Sequence, residues 1–164
     1  MKGVSLTMKR DVLNIARKFL MQECGNVSKK TLVDYLRGKG YEVIFCNLQK
    51  GNATLERLNL TDYAKKVEGF TCLCDEGKYV FIHNIRKIEM QLMTLAHEVG
   101  HVVLRHLEDD EDNERNRYVW ELEADTFAYV ILRHQKMKRP HKAKIVYFPS
   151  LVDYTPVPNG TPSK

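Results

Sequence analysis

The chain has 164 residues, 43% of them hydrophobic, and a formal net charge of +5 at pH 7. That length and balance suit one soluble globular domain with a real core. No apolar run approaches the roughly 18 residues that a membrane span requires, and the four cysteines, Cys24, Cys46, Cys72 and Cys74, are too few and too irregular for a disulfide framework.

The first segment, MKGVSLTMKRDVLNIARKFL, starts basic, but Asp11, Asn14, Arg17 and Lys18 interrupt its apolar residues. It reads as a helix over 8–22 and not as a signal peptide, so a cytoplasmic protein without a membrane partner is expected. Ser28 is placed to cap a second helix through Thr31, Leu32, Tyr35 and Leu36, which Gly38 and Gly40 end. YEVIF (41–45) reads as a strand, 47–60 has no clear period, and Thr61 is expected to cap a short helix reaching Val67. FTCLC (70–74), DEGK (75–78) and YVFIH (79–83) predict a β-hairpin with Gly77 as the turn residue. Cys72 and Cys74 share one face of that strand and read as structural thiols, because no second pair completes a tetrahedral metal set.

From Lys87 to Leu107 a long helix is predicted, with Ile88, Leu92, Leu95, Ala96, Val99 and Val103 on one stripe. The acidic run EDDEDNER (108–115) reads as a solvated loop favouring the N-terminus of a further helix over 116–135. All five prolines fall at or beyond Pro140, so helical structure should stop near Lys138. KIVYF (144–148) offers a strand or docking segment, and 149–164 reads as a flexible tail. The expected architecture is α+β, a small mostly antiparallel sheet packed on a helical bundle. One domain is expected over 1–148, with a helical part over 1–40 and the sheet and metal-site helices over 41–137. Between Arg133 and Lys144 lie six basic residues (Arg133, Lys136, Lys138, Arg139, Lys142, Lys144) and no acid. Cations gathering at a helix C-terminus account for them, and without a DNA-binding motif direct nucleic-acid contact is not expected.

The chemistry concentrates in LAHEVGH (95–101). His97 and His101 are four apart on a helix, so both imidazoles leave one face and can reach one zinc ion. Glu98 lies about 100° round the helix, near enough to reach a metal-bound water as general base. With six histidines in the chain, a chance HExxH arises in roughly one to two per cent of such chains, so a third ligand matters. In ELEADTFA (121–128), Glu121 and Asp125 are four apart and share a face, whereas Glu123 points elsewhere and reads as a solvated acid. Glu121 suits the third ligand, and Asp125 suits an acceptor for the free ring N–H of a zinc histidine, His97 by preference.

HEVGH, nineteen residues, then ELEADTFA resembles the ImmA/IrrE family of zinc metallopeptidases, and more broadly the HExxH-plus-Glu peptidases typified by thermolysin. The similarity is specific over about residues 78–132. It implies one Zn2+ held by His97, His101 and Glu121, with Glu98 as the catalytic carboxylate. It also implies a narrow substrate, since such proteins cut helix-turn-helix transcriptional repressors and so relieve repression. Tyr118, His106 and His134 are the candidate oxyanion donors, Tyr118 first, and the strand 79–83 is a candidate edge for an extended substrate. A non-catalytic antirepressor with a structural zinc is the alternative.

Overall fold

The structure, a computed structural model, describes residues 11–109 and 114–136. The predicted segment 144–148, the proline-rich tail and most of the basic stretch lie outside them. Helix α1 spans Val12–Gln22 and begins where the Asp11 side chain accepts from the Asn14 N–H. Helix α2, Lys29–Gly38, is capped by Ser28 as expected, and Thr31 reciprocates by binding the Ser28 N–H. Its C-terminal carbonyls are taken by Lys39 and by Gly40, whose φ of 86° is a left-handed conformation that costs glycine little.

Strand β1 spans Tyr41–Cys46, β2 Gly69–Cys74 and β3 Gly77–His83. The α+β expectation holds, but the sheet is mixed and not mostly antiparallel. Its order is β1-β3-β2, with β1 parallel to β3 (Val43 opposite Val80) and β2 antiparallel to it (Phe70 opposite Phe81). The chain between β1 and β3 carries α3 (Ala53–Arg57), α4 (Thr61–Ala64) and β2, long enough for the crossover a parallel pair needs. Asn52 caps α3, a signal passed over in the segment 47–60. Thr61 is the first residue of α4 and not its cap, and that helix ends at Ala64, short of Val67.

Central β3 is buried on both faces, which is why YVFI is a continuous apolar run. Tyr79 and Phe81 join Leu48, Leu55, Ala64 and Phe70 beneath α3 and α4, while Val80 and Ile82 face the main core. Being central, 79–83 offers no free edge, so the expectation of strand addition there is corrected; β1 and β2 are the edges. In the main core, helix α5 (Ile88–Val103) buries Leu95, Ala96 and Val99, with Leu92 and Val103 packed at the margin. It lies against α6, Glu114–Lys136, which also carries α1 along its length.

Candidate metal centre

The face of α5 opposite its apolar stripe carries His97 and His101, and α6 presents Glu121 to both. Nε2 of His97 lies 3.0 Å from Nε2 of His101 and 3.1 Å from Oε2 of Glu121, and His101 Nε2 lies 3.3 Å from Glu121 Oε1. Zinc bonds of roughly 2.0–2.1 Å at tetrahedral angles set ligand atoms roughly 3.3–3.4 Å apart. Ligand atoms of these three residues, all within 4.8 Å of one another, therefore fit one tetrahedral ion with a position to spare. A donor set of two imidazoles and a carboxylate can hold a divalent metal ion.

Asp125 Oδ1 lies 2.7 Å from His97 Nδ1, an acceptor for that ring nitrogen with Nε2 turned toward Glu121. Burial alone would lower the His97 pKa, but hydrogen bonds to Asp125 and Glu121, with the charges of Glu98 and Glu121, raise it to about 10. Burial would raise Glu121, yet hydrogen bonds from His101 and His97 hold its carboxyl well below the usual carboxylate range. A cation in the triangle of ligands must therefore displace a proton.

That proton gives an expected pH response. The ordinary value of 6.5 is raised to about 10, so the stabilisation from protonated His97 is complete below pH 6.5 and is lost as pH rises through about 10. The melting temperature of the metal-free protein should fall over that interval by more than that of a His97→Gln variant, and saturating zinc should remove the difference. Equal declines in all three preparations would contradict the assignment.

Glu98 is buried and accepts a hydrogen bond of 2.6 Å from Thr71 Oγ1. Thr71 belongs to edge strand β2, so this contact brings the open sheet edge beside the histidines. Sequence reasoning missed Thr71, since a lone hydroxyl in FTCLC has no helical period to reveal it. Among the candidate oxyanion donors, Tyr118 is exposed one turn before Glu121 and His134 is exposed near the end of α6. His106 is buried behind His101, with its Nδ1 2.9 Å from His101 Nδ1, and is not presented to a substrate. Glu123, expected to be solvated, is fully buried and 2.8 Å from His106 Nε2. The signal was there: Val119, Trp120, Glu123, Ala124, Phe127, Ala128 and Ile131 form one buried stripe of α6, and an acid on it needs a buried partner.

A histidine pair from one helix and a glutamate from the next, beside a mixed sheet, form a candidate metal site. Residues 39–144 match the model of the IrrE N-terminal-like domain, a peptidase family, and the chain belongs to that family. No curated protein and no solved structure matches it. Among the described residues no helix is long and apolar enough to cross a membrane.

Proposed function

We propose that the protein is a zinc-dependent endopeptidase that cleaves one specific protein partner, a helix-turn-helix transcriptional repressor, and so relieves repression. The observation that carries the peptidase reading is the convergence of His97, His101 and Glu121 with the buried carboxylate of Glu98 one residue from His97. Family membership supports it; the repressor as substrate is an inference from the resemblance of the HEVGH and ELEADTFA motifs.

Zinc, when bound, supplies Lewis acidity toward a water and a peptide carbonyl. His97, His101 and Glu121 would hold it, with Asp125 fixing the His97 ring. Glu98, steadied by Thr71, takes a proton from the attacking water and returns it to the departing amine. An extended substrate adds along the free edge of β2, where backbone groups supply affinity and side-chain subsites supply selectivity. Tyr118 is the hydroxyl assigned to steady the carbonyl oxygen.

Metal analysis tests the foundation. Purified wild type dialysed against zinc should retain one equivalent, and His97→Ala should retain less than a tenth of that. Wild type that holds no more zinc than His97→Ala would end the metallopeptidase reading.

A further inference from the structure

Behind the three candidate ligands runs a second, wholly buried line of polar groups. His101 Nδ1 meets His106 Nδ1 at 2.9 Å, and His106 Nε2 meets Glu123 Oε2 at 2.8 Å. His106 is 2% exposed and Glu123 is 0% exposed, so bulk solvent does not reach either. We propose that His106 and Glu123 are positioning residues of the metal centre, a buried relay that fixes which ring nitrogen of His101 faces the ion. This rests on the metal-binding reading given above.

Donor and acceptor counting gives the relay its direction. A carboxylate at Glu123 only accepts, so His106 carries its proton on Nε2. Where that is the only ring proton of His106, its Nδ1 is bare and can only accept, so His101 donates from Nδ1. His101 Nε2, the nitrogen that faces Glu121 and His97, is then the one left to give up its proton to an ion bound between them.

Three further features hold His106 in register. Helix α5 ends at Val103 with Leu104 as its cap, and Arg105 then adopts a left-handed conformation (φ 60°, ψ 32°), unusual for a residue with a side chain. That turn carries the chain into the short 3₁₀ segment His106–Glu108 and brings His106 back under His101. The Trp120 ring lies nearly parallel to the His106 ring, with centroids 5.7 Å apart and planes at 16°. The two candidate histidine ligands are thus oriented by different means. Asp125, which holds His97, has a side chain 48% exposed, so solvent can partly replace it, whereas His106 and Glu123 lie out of reach of bulk solvent.

The decisive variant is the pair His106→Phe with Glu123→Leu. Phenylalanine keeps a ring stacked on Trp120, and leucine removes the carboxylate that would otherwise lose its hydrogen bond to His106. Apolar replacement of a buried polar pair is often neutral or stabilising. The metal-free double variant should therefore melt within a few degrees of wild type, followed by the fluorescence of Trp120, the single tryptophan of the chain. Its zinc dissociation constant, measured by competition with a chromophoric chelator, should rise about 10- to 100-fold. Nitrogen-15 NMR of the zinc-loaded proteins should show His101 protonated on Nδ1 and bound through Nε2 in wild type, and a mixture of the two ring orientations in the double variant.

His106→Gln, with Glu123 intact, supplies the complement, because its amide can donate to Glu123 and accept from His101. It should keep zinc affinity within about threefold of wild type. Wild-type affinity and an unchanged His101 ring orientation in the double variant would overturn the proposal, as would equal losses in the double variant and His106→Gln. Wild type that takes up no zinc would instead remove the metal-binding reading, and the relay's role with it.

Discussion

Replacing Glu98 with glutamine should reduce cleavage of the protein substrate by about 10²- to 10⁴-fold, the span a positioned general acid–base contributes, while leaving zinc content unchanged. Glu98 is absent from the His97, His101 and Glu121 cluster, so the metal sites of the two proteins should be alike. The side chain should also stay in place, because a glutamine oxygen can accept the hydrogen bond that Thr71 Oγ1 makes to Glu98 Oε2. The loss is then one of proton transfer and not of folding, and unchanged melting would show it. The measurement also separates the peptidase from a sequestering antirepressor. A Glu98→Gln protein that relieved repression as well as wild type, without cutting the repressor, would sink the proposed mechanism.

The second large effect is expected at Gly100, within HEVGH. A Cβ built there would lie 3.1 Å from Ala124 Cα, 3.2 Å from Ala124 O and 3.2 Å from Phe127 Cδ1. Two of these are backbone atoms of α6, so relief requires the helices to part. Gly100→Ala recovers about 1 kcal/mol of helix propensity against that strain. Gly100→Val adds two further carbons and a poorer helix former, and overpacking of this kind costs about 1–3 kcal/mol. Melting should fall by roughly 3–10 °C. Because α5 carries both histidines and α6 carries Glu121, the same displacement should weaken zinc binding at least tenfold. A Gly100→Val protein with wild-type melting and zinc affinity would show that the contact yields without moving the site.

These two positions illustrate what a sequence conveys. Periodicity in α5 was legible because an amphipathic helix repeats its apolar residues, and His97 and His101 fall on the complementary face. The i, i+4 relation of Glu121 and Asp125 was legible for the same reason. Glu98 was nameable as a base, but its contact with Thr71 was not, since strand β2 and helix α5 meet only in the folded chain. The sheet was misjudged in a similar way. FTCLC and YVFIH announce a hairpin, yet nothing local to YEVIF says that it runs parallel to YVFIH and makes that strand central. His106 lies behind His101, because the left-handed turn at Arg105 reverses the direction that continued helical spacing implies.

By itself, then, the sequence determined the α+β character, the helix cap at Ser28 and the left-handed glycine after that helix, and the spacing of His97 with His101 and of Glu121 with Asp125 on their own helices. Each depends on interactions within four residues or on the period of one element, which the order of residues encodes directly. Tertiary structure alone decided the strand order, the open edge beside Glu98, the close approach of α5 and α6 at Gly100 and the burial of Glu123 against His106. Those depend on which faces meet across separations of 17 or 27 residues, and such pairings are set by the packing of the whole core, not by any local period.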